Sequence, residues 1–80
     1  MHEHQVIVYI NAAAKTFTAT ARKPSARLAE VNDWAINHGF SPTTVATNID
    51  KASAEALRKR EMRRYAGQGY RYQYKTRPPL

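Results

Sequence analysis

The fold is decided by residues 50–67, which read DKASAEALRKREMRRYAG. Asp50 can cap the start of a helix, and Gly67 stands where a left-handed stop residue belongs. The residues between them are mostly good helix formers, and no proline interrupts them. The sequence therefore predicts a helix over this stretch, and the remaining elements must provide the surface on which it packs.

The two sides of this helix differ in chemistry. At about 100° per residue, one side carries Ala54, Leu57 and Tyr65, with Met62 at its edge. The other side carries basic residues, namely Lys59, Arg60, Arg63 and Arg64. Glu61 interrupts the apolar side between Leu57 and Tyr65. We expect its carboxylate to face the core and to pair with a basic side chain, because an unpaired buried charge is costly.

The charge of the chain is concentrated after this helix begins. Residues 1–50 contain four basic and four acidic residues, whereas residues 51–80 contain nine basic residues and two acidic ones. The second segment therefore holds the whole net charge of +7. This asymmetry favours a polyanionic partner or an acidic protein surface. The structural alternative is a solvated helix face that keeps a small protein soluble.

The length and composition limit the class of protein. Eighty residues make one small domain, for which we predict a folded core over 5–75 and flexible tails at 1–4 and 76–80. The absence of cysteine excludes disulfides and thiolate metal sites. The longest apolar run, residues 6–10, is too short to span a membrane, and no secretory signal is visible. We therefore predict a cytoplasmic location without a membrane partner.

The first half of the chain predicts a hairpin followed by a helix. Residues 5–10 and 16–22 alternate in polarity and are rich in β-branched residues, a pattern typical of paired strands. Pro24 and Ser25 suit a helix entrance and its cap. An apolar stripe that includes Trp34 follows, and Gly39 ends the helix.

The second half adds two strands around the basic helix. Residues 40–42 are predicted as a loop, residues 43–49 as a short β-branched strand, and residues 70–74 as a final strand with its tyrosines on one face. The predicted order is β-β-α-β-α-β. This is an α+β domain with two helices packed on a small sheet.

Several residues in this order resemble the GIY-YIG nuclease superfamily. Tyr9, in Val-Tyr-Ile at residues 8–10, stands where the first half-motif would lie. Residues 17–19, Phe-Thr-Ala, stand where the second would lie, and Arg27 stands where the helix arginine would be. Residues 54–70 are similar to the closing helix of short, phage-type members. The resemblance covers about residues 5–72, and we expect a phage origin from it.

The chemistry of that family gives three residues a role. The family uses tyrosines to position or activate water, an arginine to stabilise the phosphate charge, and a glutamate to hold one divalent metal. The resemblance implies a remnant catalytic site of Tyr9, Arg27 and Glu61. The same three residues are equally explained as a strand tyrosine, a surface arginine and a carboxylate paired with a neighbouring arginine.

The sequence departs from the family at the reacting positions. Phe17 replaces the second tyrosine, and Ala19 replaces the glycine of its half-motif. A gapless alignment puts Arg60 where the metal-binding glutamate belongs, and Glu61 reaches the inner face only if the register moves by one. These departures favour a protein that is not an enzyme.

Our leading hypothesis is a non-catalytic, basic accessory protein encoded by a phage, without a cofactor or a metal. It would bind DNA or RNA through the basic helix and the final strand, because basic side chains neutralise phosphates and tyrosines can stack on unpaired bases. The expected contact residues are Lys59, Arg60, Arg63, Arg64, Arg71, Lys75 and Arg77.

Two other hypotheses stay open. A small phage inhibitor could use the same basic stripe against an acidic or nucleic-acid-binding surface of a host protein or defence complex, as anti-CRISPR and host-takeover proteins do. An active metal-dependent nuclease is the third hypothesis, against which Phe17 and Arg60 argue. The sequence does not separate the first two hypotheses, nor DNA from RNA, and it leaves the oligomeric state open.

Overall fold

A computed structural model describes residues 3–72. They form a small α+β domain with one four-stranded sheet and two helices in the order β-β-α-β-α-β, which confirms the predicted fold class. The strands are β1 (His4–Asn11), β2 (Thr16–Arg22), β3 (Ser41–Ile49) and β4 (Arg71–Tyr72). The helices are α1 (Ala26–Asn37) and α2 (Lys51–Gly67).

The sheet has the spatial order β3-β1-β2-β4. Strand β1 runs antiparallel to both of its neighbours, β2 and β3, whereas β4 pairs with β2 in parallel. The middle of β1 is the most deeply buried segment, and Val6, Val8 and Tyr9 are fully inaccessible to solvent. The central position of β1 follows from its unbroken apolar run, because a strand with neighbours on both sides and helices above and below has no solvated side.

The two helices cover opposite faces of the sheet. Because strand side chains alternate, Ile7 and Tyr9 project to one face and Val8 projects to the other. The first face packs against Phe40 and the α1 residues Leu28, Val31 and Ala35. The second face adds Phe17 and Ala19 of β2 and packs against the α2 residues Met62 and Tyr65. The sheet therefore separates two apolar clusters, one beneath each helix.

Both predicted N-terminal caps are present. The Ser25 hydroxyl accepts the backbone N–H of Leu28 at 3.2 Å, and the Asp50 carboxylate accepts that of Ser53 at 3.0 Å. Each bond satisfies a backbone donor that has no partner within its helix. The sequence therefore located both helix starts correctly.

The helix ends confirm one glycine prediction and correct the other. Gly39 takes the left-handed conformation after α1, with φ +87°. The prediction for Gly67 was wrong, because Gly67 is the last residue of α2 and Gly69 takes the left-handed conformation instead, with φ +90°. A hydrogen bond of 3.1 Å from the Tyr70 N–H to the Tyr65 carbonyl closes the end of α2, so Gly67 belongs to the helix and does not stop it.

The strand boundaries also correct the sequence. Ser41 and Pro42, predicted as part of a loop, belong to β3 and lie opposite Ile10 and Tyr9. Pro42 is tolerated because β3 is an edge strand, where a missing N–H need not break a ladder. Strand β1 begins at His4, inside the segment predicted as a tail. The final strand begins at Arg71 and not at Tyr70 as predicted, and residues 73–74 of the predicted strand lie outside the described residues.

Candidate functional site

Helix α2 presents the two chemically different sides that its sequence predicts. Ala54 and Glu61 are its two buried residues, and Glu61 is only 5% exposed. The Glu61 Oε1 atom lies 3.4 Å from Nη1 of Arg64, whose side chain is 62% exposed. The prediction that Glu61 faces inward and pairs with a basic side chain is therefore confirmed. The pair ties Arg64 to the buried carboxylate, while the Arg64 side chain stays largely exposed.

Apart from Lys51 at its first position, the cations of α2 fall into two groups. Arg58 and Arg64 each pair with a glutamate three residues earlier, at 3.1 Å and 3.4 Å. Lys59, Arg60 and Arg63 are exposed, and within residues 3–72 they form no salt bridge with a carboxylate. These three residues and Arg64 are called the basic surface below. The charges of Lys59, Arg60 and Arg63 are not neutralised by a neighbouring carboxylate within residues 3–72, so this surface can attract an anion.

The tyrosines at this end of the molecule pack mainly on one another. The ring of Tyr65 lies 5.5 Å from that of Phe17 and 5.9 Å from that of Tyr70, and Tyr72 meets Phe17 edge-on at 5.4 Å. Tyr65, Tyr70 and Tyr72 are all half-buried. Tyr74 lies outside the described residues. The described tyrosines thus extend the core beneath the end of α2.

A cation that the sequence did not single out joins this cluster. Lys15, in the turn between β1 and β2, places its Nζ atom 5.2 Å from the centre of the Tyr70 ring. Its carbonyl accepts the backbone N–H of Arg71 at 2.9 Å, which ties the turn to β4. The parallel pairing of β2 with β4 brings these distant residues together, and no local pattern in the sequence could indicate it.

The remaining predicted contact residues lie elsewhere. Arg71 is exposed, but it projects from the face of β4 opposite to Tyr72, because strand side chains alternate. Tyr72 packs with Phe17 on the α2 side of the sheet, so Arg71 is directed to the α1 side. Lys75 and Arg77 lie outside the described residues.

The structure does not bring together the three residues of the suggested catalytic site. Tyr9 is fully buried on the α1 side, where its hydroxyl donates to Oδ1 of Asn32. Burial raises the pKa of the Tyr9 hydroxyl above its ordinary value of 10.0. Glu61 belongs to α2, on the other side of the sheet, so the sheet lies between these two side chains. Arg27 pairs with Glu30 at 3.9 Å on α1.

Two further properties concern the described part of the chain. Among residues 3–72, no three histidine, aspartate or glutamate side chains are grouped closely enough to form a metal site. Within the same range, neither helix combines the length and the apolar character that are required to cross a membrane.

The fold and its surface define a small α+β protein with one helix on each face of its sheet and unpaired cations on the outer side of one helix. Comparisons with protein-family models, with curated proteins and with solved structures give no match for this chain.

Proposed function

We propose that this chain is a non-catalytic nucleic-acid-binding protein, of phage origin, that holds the phosphate backbone of DNA or RNA on the basic surface. The observation that supports the proposal most strongly is the local imbalance of charge on α2. Lys59, Arg60 and Arg63 have no carboxylate partner among residues 3–72. Lys59 and Arg63 lie on the side of the helix opposite to Glu61, and Arg60 lies about 100° around the helix axis from it. A polyanion would supply the missing counter-charge.

The arrangement favours contacts with phosphates over contacts with bases. Base-stacking proteins present free aromatic faces beside a positive groove. Here the Arg64 guanidinium lies 5.7 Å from the Tyr65 ring centre, and Lys15 lies over Tyr70. Because these rings already contact cations and other rings, binding would be largely electrostatic and only weakly selective for sequence. Arg71, on the other side of β4, would contribute at the margin of the contact.

The proposal excludes hydrolysis on the basis of the arrangement of the residues. A nuclease of the suggested type would need Tyr9, Arg27 and Glu61 to converge on one phosphate, yet Tyr9 and Glu61 belong to opposite sides of the sheet. Phe17, at the position of the second tyrosine, is fully buried among aromatic rings. We therefore expect no magnesium- or manganese-dependent cleavage of plasmid or single-stranded DNA. Cleavage that Glu61→Gln abolishes, in protein that remains folded, would restore the nuclease hypothesis.

The proposal is tested by titrating fluorescently labelled DNA and RNA with the protein at several salt concentrations. Each neutralised phosphate contributes roughly −0.9 to the slope of log affinity against log salt for duplex DNA. With about four contacts, the affinity should fall by about two orders of magnitude between about 50 and 200 mM salt. If neither DNA nor RNA binds at about 50 mM salt, the proposal is wrong.

The second candidate is a phage inhibitor that docks the basic surface on an acidic or nucleic-acid-binding host protein. The absence of a free aromatic face among the described tyrosines favours a partner that is recognised by charge alone, and an acidic protein surface meets that description. Capture of partners from host lysate, with and without nuclease treatment, distinguishes the two candidates. A host protein retained after nuclease treatment would favour the inhibitor, whereas loss of all captured protein would favour nucleic acid.

A further inference from the structure

We propose that Lys15 is a second phosphate-binding position, located on the β1–β2 turn beside the end of α2. This inference rests on the proposed function and extends the contact beyond the basic surface. Lys15 would bind one phosphate group of a nucleic acid backbone that is already bound to α2.

The backbone around Lys15 is fixed by contacts on both sides. Lys15 has a left-handed conformation with φ +58°, and the Asn11 side chain accepts the N–H of Ala14 at 3.1 Å within the same turn. The hydrogen bond from Arg71 N–H to the Lys15 carbonyl, 2.9 Å long, joins this turn to β4. Such a turn presents its lysine in a defined position, which reduces the entropy lost when a ligand binds.

The side chain of Lys15 is directed toward the end of α2. Its ammonium lies 5.2 Å from the ring centre of Tyr70, the Tyr70 ring lies 5.9 Å from that of Tyr65, and Arg64 lies 5.7 Å from the latter. Two tyrosine rings therefore stand between two cations. Cation–π attraction holds one positive group against each ring, so the two cations lie at the two ends of this cluster.

The charge of Lys15 is available to a ligand. The residue is exposed, and within residues 3–72 it forms no salt bridge with a carboxylate. Lys23 provides a contrast, because its Nζ atom lies 3.7 Å from the Glu3 carboxylate at the other end of the β1–β2 hairpin. An extended polyanion that lies on α2 and continues past Arg64 would reach Lys15, whereas Lys23 lies at the opposite end of the hairpin and its charge is already paired with Glu3.

The experiment compares Lys15→Asn with Lys23→Asn in the complete chain, using the same labelled DNA and RNA and the same series of salt concentrations. Asparagine tolerates the left-handed conformation well, so the turn should keep its shape. For Lys15→Asn we expect the salt slope to become shallower by about 0.9, and the affinity at about 100 mM salt to fall roughly fivefold to tenfold. Lys23→Asn should match the parent protein, and Lys15→Arg should restore the parent slope.

The outcomes separate this inference from the proposed function. If the parent protein binds no nucleic acid at about 50 mM salt, the proposed function fails and this inference fails with it. If the parent binds but Lys15→Asn and Lys23→Asn have equal slopes, only the Lys15 position is wrong. Inorganic phosphate serves as a further probe in competition with the labelled nucleic acid, at equal total ionic strength. Competition by phosphate but not by chloride would indicate that Lys15 binds free phosphate rather than a nucleic acid backbone. A parent and a Lys15→Asn protein that respond equally to phosphate would exclude that source.

Discussion

The two helices lie on opposite faces of one sheet, and they differ in whether their charged side chains are paired. On α1, Arg27 pairs with Glu30, and Asp33 adds a further exposed carboxylate. On α2, the exposed Lys59 and Arg63 have no such partner among the described residues. The charge asymmetry along the chain therefore becomes an asymmetry between the two faces of the molecule, and a polyanion would bind the α2 side.

The interiors of the two faces differ as well. The α1 side is closed by Leu28, Val31 and Ala35 together with the stacked rings of Trp34 and Phe40, and by the hydrogen bond from the Tyr9 hydroxyl to Asn32. The α2 side is closed by aromatic contacts around Phe17 and contains the buried carboxylate of Glu61. Because that carboxylate is tied to Arg64, the buried part of α2 is coupled to its basic surface, whereas among residues 3–72 the α1 side contains no buried carboxylate.

The largest effect on stability should come from truncating a side chain at the centre of one of the two apolar clusters. Phe17 is fully buried and contacts the rings of Tyr65 and Tyr72. We expect Phe17→Ala to lower the free energy of unfolding by about 3–5 kcal/mol, and Leu28→Ala on the α1 side to lower it by about 2–5 kcal/mol. Urea denaturation followed by circular dichroism measures both. Arg63→Ala is the control, since its side chain is exposed and its loss should change stability by less than about 0.5 kcal/mol. Equal midpoints for Phe17→Ala and Arg63→Ala would show that the α2 face is assigned wrongly.

A smaller effect should distinguish the paired from the unpaired cations of α2. Arg64→Gln leaves the carboxylate of Glu61 buried without its partner, whereas Arg63→Gln removes an arginine that has none. We expect Arg64→Gln to destabilise the protein by about 1–3 kcal/mol, the usual cost of a buried polar group that loses its hydrogen bond. The lower part of this range is expected, because Arg64 is largely exposed and solvent screens the pair. Thermal denaturation of the two variants at the same pH and salt concentration is the measurement, and identical melting temperatures would contradict the coupling between the core and the basic surface.

The smallest effect concerns the α1 side and depends on pH. Tyr9→Phe removes the hydroxyl that donates to Asn32, at an expected cost of about 0.5–1.5 kcal/mol near neutral pH. Burial raises the pKa of Tyr9 in the folded protein above its ordinary value of 10.0, so the folded state retains this proton more tightly than the unfolded state. The resulting stability is complete below pH 10 and is lost as the pH rises through the higher pKa of the folded state. Across this pH range, the free energy of unfolding should fall less steeply with rising pH for Tyr9→Phe than for the parent. If the free energy of unfolding falls with pH at the same rate in both proteins, Tyr9 does not contribute to the loss of stability at high pH.

Local patterns in the sequence predicted the parts of the structure that depend on local physics. Helical periodicity located Glu61 on the inner side of α2, and cap chemistry located Ser25 and Asp50 at the helix starts. The left-handed position was predicted at Gly67 and lies at Gly69, because two glycines fall within one turn and the sequence does not show which of them ends the helix.

Features that depend on distant contacts could not be predicted. The apolar stripes of α1 and α2 do not state which face of the sheet each helix covers, so the separation of Tyr9 from Glu61 was not visible in the sequence. The position of Lys15 beside Tyr70 depends on the parallel pairing of β2 with β4, which joins residues more than fifty positions apart in the chain. The sequence grouped Lys59, Arg60, Arg63 and Arg64 as one basic stripe, but it did not show that Arg64 pairs with Glu61 while the other three form no salt bridge within residues 3–72.

The central claim is that unpaired charge on the outer side of α2, rather than net charge alone, binds the nucleic acid. The most direct test compares two triple variants that lose the same charge. One carries Lys59→Gln, Arg60→Gln and Arg63→Gln, and the other carries Arg22→Gln, Lys23→Gln and Arg27→Gln, three cations that lie outside α2. The measurement is the slope of log affinity against log salt for the same labelled nucleic acid. We predict that the first variant reduces the magnitude of the slope by about 2.7, at roughly 0.9 per lost phosphate contact, and that the second leaves it nearly unchanged. Equal reductions in both variants would contradict the claim.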